Sequence, residues 1–248
     1  MWRPSRPLQV ALPFAAQARR TPRMGRPPKP RSVSHRAREP FDGDRAAVHV
    51  TVRMARDVPN LRSQRGFRAV EHALKAEERR GELRVTHYSV QGNHLHLVVE
   101  AGDRTVLARR MQGFSIRLAK RVNRDVMRRR RGKVLDHRYH ARVLATPSAV
   151  RNAIAYVLFN HAHHVPTTDR ALLDPYSSAR VETHFAHEVR VPKWSPGTGP
   201  PPVSEPSLWL LRAGYRQAGR IASPFVRWGN EQTSVTRLRA RSNPDCTR

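Results

Sequence analysis

Val85-Thr86-His87-Tyr88-Ser89-Val90-Gln91-Gly92-Asn93-His94-Leu95-His96-Leu97-Val98-Val99 reads as two strands folded about a turn. Gln91-Gly92-Asn93 is the turn, and so short a connection between extended runs makes an antiparallel hairpin. Side chains alternate between the two faces of a strand, at about 3.3 Å per residue. His94 and His96 therefore share one face, and Leu95, Leu97 and Val99 share the other. Two imidazoles whose Cα atoms lie roughly 6–7 Å apart by that rise can hold one metal ion. A His-x-His pair in a strand is more often structural, so its chemistry depends on what else reaches that face.

The flanking chain supplies the rest of a sheet. Ala47 to Met54 alternates, with Val48, Val50, Val52 and Met54 on one face and His49, Thr51 and Arg53 on the other, which is the pattern of a half-buried strand. From about Leu61 to Arg80, Phe67, Val70 and Leu74 recur at helical spacing, and Gly81 is a natural stop. Asp103 caps a second helix, expected to run to about Arg128, with the apolar stripe Leu107, Met111, Phe114, Leu118 and Val122. A fourth strand is expected over about Val134 to Leu144. Thr146-Pro147 then opens a last helix to about His163, with Thr as the cap and Pro at the first helical position. The order β-α-β-β-α-β-α is, apart from its last helix, the ferredoxin-like (RRM-like) order. The expected class is α+β: an antiparallel sheet with helices on one face, its other face open to a ligand.

Composition points to the ligand. The chain has 248 residues, 47 Lys and Arg against 19 Asp and Glu, and a net charge of +28. So large an excess attracts polyanions, and counterion release favours phosphate binding. Nucleic acid is the expected partner. On the second helix, Arg109, Arg110, Arg117, Lys120 and Arg121 form a candidate phosphate-tracking surface, and Arg138 and Arg142 in the fourth strand are further candidates. A merely solvated basic face is the alternative. With one cysteine, Cys246, the chain can build neither an internal disulfide nor a cysteine zinc module. No apolar run approaches the ~20 residues of a membrane span, and the N-terminus lacks a signal-peptide pattern. The expected location is cytoplasmic, associated with the nucleoid.

Three regions follow. Residues 1–45 are rich in Pro and Arg and are expected to be a disordered basic arm. Within it, Gly25-Arg26-Pro27-Pro28-Lys29-Pro30-Arg31 resembles an AT-hook, with Pro28 where a basic residue is usual. Residues 46–165 form the expected core domain. Residues 166–248 form an irregular extension, Pro-rich from Pro175 to Pro206, with a short helix over about 207–219.

On a helical wheel of the last core helix, Val150, Ile154, Val157 and Leu158 cluster as the buried face. Tyr156 and Asn160, one turn apart, form a polar strip beside it, followed by His163. His94-Leu95-His96 with a downstream Tyr156-Val157-Leu158-Phe159-Asn160 helix resembles the HUH single-tyrosine transposases of the IS200/IS605 type, most closely the REP-associated tyrosine transposases. The hairpin Val85–Val99 and the Gly132-Lys133-Val134 to Arg138-Tyr139-His140 segment carry the same resemblance, which spans about residues 46–165. Asn160 is followed by His161 where the family often has proline.

The resemblance implies His94, His96 and Asn160 as ligands of Mg²⁺ or Mn²⁺ and Tyr156 as the nucleophile. It implies cleavage and rejoining of single-stranded or hairpin DNA through a 5′-phosphotyrosine, by a monomer or a homodimer. A free tyrosine ionises near pH 10, so its proton needs help to leave, and His163 is one candidate. Tyr88 and Tyr139, in expected strands, suit packing or base stacking. Tyr176 and Tyr215 fall outside the core domain. His87, His137, His140 and His161 are expected at the surface or facing DNA, without chemistry. The alternatives are a non-catalytic nucleic-acid-binding relative and a replication initiator of the rolling-circle type.

Overall fold

The computed structural model of the chain describes residues 41, 45–128, 132–164, 172–190, 192, 194–197 and 199–222. The AT-hook-like residues 25–31 and the rest of the expected N-terminal arm up to residue 40 lie outside them. The elements are β1 (Ala46–Arg53), α1 (Gln64–Glu78), β2 (Leu83–Val90), β3 (His94–Ala101), α2 (Arg104–Arg121), β4 (His140–Val143), α3 (Pro147–His164) and a single turn, α4 (Trp209–Arg212). The four strands form one antiparallel sheet in the order β2-β3-β1-β4. That is the ferredoxin-like strand order, with the first and third strands at the centre.

The sheet is sorted by its alternation. Val48, Val50 and Val52 of β1 and Leu95, Leu97 and Val99 of β3 are at most 1% exposed and pack with Phe67, Val70 and Leu74 of α1 and Leu107, Met111, Phe114 and Leu118 of α2. Each such side chain contributes about 1.5–3 kcal/mol by leaving water, which holds α1 and α2 to this face. β2 adds Leu83 and Val85 to it, then Tyr88 and Val90. The change from odd to even positions is a β-bulge between Val85 and His87, which adds one residue and turns His87 to the other face.

Local signals set the helix ends. Ser63 accepts a hydrogen bond from Gly66 N–H to start α1, and Asp103 accepts one from Val106 N–H to start α2. Thr146 Oγ1 accepts from Ala149 N–H at the head of α3. α2 ends seven residues earlier than expected from the pattern, giving way to a π-type turn, Val122–Val126. The fourth strand is also shorter than expected. Residues 134–136 meet the end of β1 and the two residues after it through the Met54–Leu135 bridge and hydrogen bonds from Ala55 N–H to Val134 O and Asp136 N–H to Arg53 O.

The second sheet face is not bare. α3 lies across part of it, packing Val150, Ile154, Val157 and Leu158 with Ala47 of β1 and Val98 of β3. The described residues from 172 to 222 are mostly irregular in secondary structure yet packed into the same cluster through Leu173, Phe185, Leu211, Tyr215 and Ile221. They also border β2. Ser178 N–H donates to Tyr88 O, Val90 N–H to Tyr176 O and Ser204 N–H to Val85 O. α4 and the following 3-10 turn, Gly214–Ala218, lie in the region expected to hold a short helix.

Candidate active site

The face of the sheet opposite α1 and α2 carries the site. Antiparallel register sets Arg53 of β1 opposite His94 and Thr51 opposite His96. It sets His140 of β4 opposite Thr51 and Arg142 opposite His49. Alternation therefore puts His94, His96, His49, Thr51, Arg53, His140 and Arg142 on one face. Glu100, on the same face of β3, stands at the other end of the strand, opposite Ala47.

α3 brings Tyr156 to this cluster. Its ring centroid is 5.1 Å from that of His96 and 5.9 Å from that of His49, edge-on to both. Of the five tyrosines, Tyr156 is the most accessible at 38% exposed, whereas Tyr88, Tyr176 and Tyr215 are at most 9% exposed and Tyr139 is half-buried. Burial raises the Tyr88 phenol strongly, with Glu71 and Asp174 adding to it, so that hydroxyl stays protonated.

The two strand histidines are held from behind. Their rings meet edge-on with centroids 4.7 Å apart. His94 Nδ1 is 2.8 Å from Asn93 Oδ1. His96 Nδ1 is 3.2 Å from Thr51 Oγ1 and 3.2 Å from His49 Nε2. A histidine ligand typically has one ring nitrogen engaged by a neighbouring protein group and presents the other to the metal. Engagement of Nδ1 on both rings suits Nε2 as the ligating atom.

His49 is the residue that sequence reasoning passed over. Its alternation in β1 was visible, but its place beside His96 depends on the pairing of strands 47 residues apart. Burial, then the positive charges of His140 and Arg142, lower its pKa to about 4. It is therefore a neutral imidazole at neutral pH.

Asn160 behaves differently from Tyr156, although both were placed on one polar strip. It is 0% exposed, and neither Oδ1 nor Nδ2 has a hydrogen-bond partner among the described residues. The structure brings Tyr156 against His96 and His49, whereas the Asn160 amide makes no hydrogen bond to either strand histidine among the described residues. The next residue, His161, has Nε2 3.3 Å from Arg62 Nη2. Arg62 in turn donates to Val90 O and pairs with Asp174. This turn of α3 is thereby tied to the end of β2 from which the hairpin turns into His94. An orphaned buried amide there fits an additional oxygen donor. Among the described residues no group of three or more His, Cys, Asp or Glu is arranged to hold a metal, so a metal would need the amide together with the two imidazoles. The side chain of His163 lies outside the described residues.

The basic residues divide into two sets. On α2, Arg109 donates to Glu82 at 2.7 Å, Arg110 and Arg117 both pair with the fully buried Glu77, and Arg121 pairs with Asp125 at 3.3 Å. Lys120 is exposed. This helix packs on the sheet face away from Tyr156. Arg53, Arg138 and Arg142 are exposed, and none has a carboxylate partner among the described residues. Arg53 and Arg142 border the histidine cluster.

Of the histidines expected at the surface, His137 and His140 are exposed. His87 is 7% exposed, contacting Thr86 Oγ1 at 3.2 Å and Glu182 at 3.4 Å. Burial alone would raise the Glu182 pKa. Hydrogen bonds from His87, His184 N–H and Tyr215 O–H, with the charge on His87, bring it instead to about 2.

Fold and site together describe a ferredoxin-like sheet whose His-x-His strand is faced by a tyrosine-bearing helix. No family model matches the chain, and no curated protein sequence matches it. Among solved structures it is similar to one described as "Structure of the REP associates tyrosine transposase bound to a REP hairpin". Identity is 14%, the TM-score is 0.48, and the match covers 60% of this chain and 84% of that one.

Proposed function

We propose that the protein is a metal-dependent DNA endonuclease and strand transferase of the HUH single-tyrosine type, acting on single-stranded or hairpin DNA. The observation that carries this is the meeting of Tyr156, 38% exposed, with His96 at 5.1 Å between ring centroids. A nucleophile and a candidate metal ligand from separate parts of the chain converge beside exposed Arg53 and Arg142, in a chain with net charge +28.

Single-stranded DNA crosses this face with its phosphates drawn to Arg53, Arg138 and Arg142. Tyr156 Oη attacks the scissile phosphorus in line with the departing 3′ oxygen. The Oη–P bond forms, the P–O3′ bond breaks, and the 3′ oxygen leaves as a hydroxyl. The product is a 5′-phosphotyrosine, and its phosphodiester keeps the energy of the broken linkage. A 3′-hydroxyl from the same or another strand then attacks the phosphotyrosine, restoring a DNA phosphodiester and freeing Tyr156. His94, His96 and the Asn160 amide oxygen would hold Mg²⁺ or Mn²⁺, which would supply Lewis-acid polarisation of the phosphate.

The test is incubation of the protein with 5′- and 3′-labelled single-stranded oligonucleotides from its gene's flanks, with Mg²⁺ or Mn²⁺. A denaturation-resistant adduct carrying the label 3′ of the cleavage point is expected. Tyr156→Phe should abolish the adduct and retain DNA binding. Binding without an adduct from the unmutated protein would instead identify a non-catalytic nucleic-acid-binding protein.

A further inference from the structure

We propose that His49 is a positioning residue that, with Thr51, holds His96 in the tautomer able to ligate through Nε2. This extends the proposed metal-dependent function to a residue on a different strand. Neutral imidazole carries its proton on one nitrogen and an acceptor lone pair on the other. For Nε2 to bind a cation, the proton must sit on Nδ1, where it needs an acceptor.

The fold presents two candidates for that acceptor. His49 Nε2 and Thr51 Oγ1 each stand 3.2 Å from His96 Nδ1. Thr51 is directly opposite His96 in the β1–β3 register, and His49 is the next residue of β1 on that face. Both therefore approach the same edge of the ring from the central strand of the sheet. His49 also faces Tyr156 edge-on at 5.9 Å between centroids, so one imidazole touches both the ligand ring and the nucleophile's ring. Asn93 gives His94 a comparable partner at 2.8 Å from its Nδ1.

Ligand partners of this kind typically change metal affinity on the order of 10- to 100-fold when removed. His49→Phe keeps an aromatic ring against Tyr156 and removes the nitrogen acceptor. His49→Gln restores an oxygen acceptor on a flexible side chain. Secondary structure and thermal midpoint of both variants serve as folding controls.

The experiment has two readouts. The first is ¹⁵N–¹H correlation NMR of the histidine rings in metal-free protein, with His96 assigned by His96→Gln. The expected result is the Nδ1–H form of His96 in the unmutated protein and in His49→Gln, and a shift towards the Nε2–H form in His49→Phe. An Nε2–H form of His96 in the unmutated protein, or a tautomer indifferent to His49→Phe, overturns the proposal. The second is Mn²⁺ titration monitored by electron paramagnetic resonance, with a 10- to 100-fold weaker affinity expected for His49→Phe and partial recovery in His49→Gln. Equal Mn²⁺ affinity in all three proteins also overturns it. Failure of the unmutated protein to bind Mn²⁺ would refute the ligand-tuning role and the metal reading, while a covalent adduct assay without added metal tests the tyrosine chemistry separately.

Discussion

Replacing Asn160 with leucine should make the metal-free protein more stable and less able to cut DNA. The side chain is 0% exposed, and both its polar atoms lack hydrogen-bond partners among the described residues. A buried donor or acceptor left unsatisfied costs about 1–3 kcal/mol. Leucine has the same branching and removes both polar atoms, at an overpacking cost of about 1–3 kcal/mol if the site cannot adjust. With two unsatisfied groups removed, the net expectation is a gain of about 1–3 kcal/mol from those opposing terms. In a domain of this size that corresponds to a midpoint rise of about 2–4 °C per kcal/mol. Urea denaturation in EDTA should show a higher midpoint at unchanged slope. Adding Mn²⁺ at about 100 times its dissociation constant should stabilise the unmutated protein by about 2.7 kcal/mol and Asn160→Leu by much less. A leucine variant at least 1 kcal/mol less stable in EDTA would refute the reasoning, because the amide would then be making native interactions rather than awaiting a ligand.

Other substitutions probe the scaffold. Glu77→Ala removes the carboxylate between Arg110 and Arg117 and leaves buried cationic charge, which should cost about 3–5 kcal/mol in thermal or chemical denaturation. A loss below 1 kcal/mol would mean that both guanidiniums relax to water. Arg53→Ala with Arg142→Ala should weaken single-stranded DNA binding and reduce the salt dependence by about 1.4, from about 0.7 per lost phosphate contact. Fluorescence anisotropy across a NaCl series reads this, and an unchanged slope would clear both residues of phosphate contact. Glu182 has its folded pKa lowered to about 2 from an ordinary 4.5. Its stabilisation is therefore present above the unfolded value and lost as pH falls from about 4.5 to about 2. That amounts to a contribution on the order of 3 kcal/mol, and Glu182→Gln should flatten the stability profile in that interval.

The hairpin was legible because alternation is local. Leu95, Leu97 and Val99 separate from His94 and His96 by period alone, and the apolar positions Leu83, Val85, Tyr88 and Val90 even record the bulge. Tyr156 was legible because helical periodicity excludes it from the stripe of Val150, Ile154, Val157 and Leu158. What period cannot show is pairing at a distance. His49 joins the site only through strand register, and Arg109, Arg110 and Arg117 of α2 find carboxylates on α1 and the segment after it. Asn160 shares a helical strip with Tyr156, but neighbours from elsewhere bury one and leave the other open. The described residues from 172 to 222 have almost no periodicity, because they are held by isolated bridges, single hydrogen bonds and scattered apolar contacts rather than by a repeating face.

Glu100, at the far end of β3 from His94, is 0% exposed. Besides Arg45, its carboxylate takes hydrogen bonds from Ser207 N–H and Oγ–H and from Leu208 N–H, more than a hundred residues along the chain. Its pKa is nonetheless lowered, because those donors outweigh the effect of burial. During synthesis the sheet emerges long before these donors do. A nascent chain that has reached α3 has every strand and the tyrosine, but Glu100 must stay hydrated or keep only its arginine. Contacts of such long sequence separation slow folding. The burial of Glu100 therefore waits for donors that arrive more than a hundred residues after its own strand.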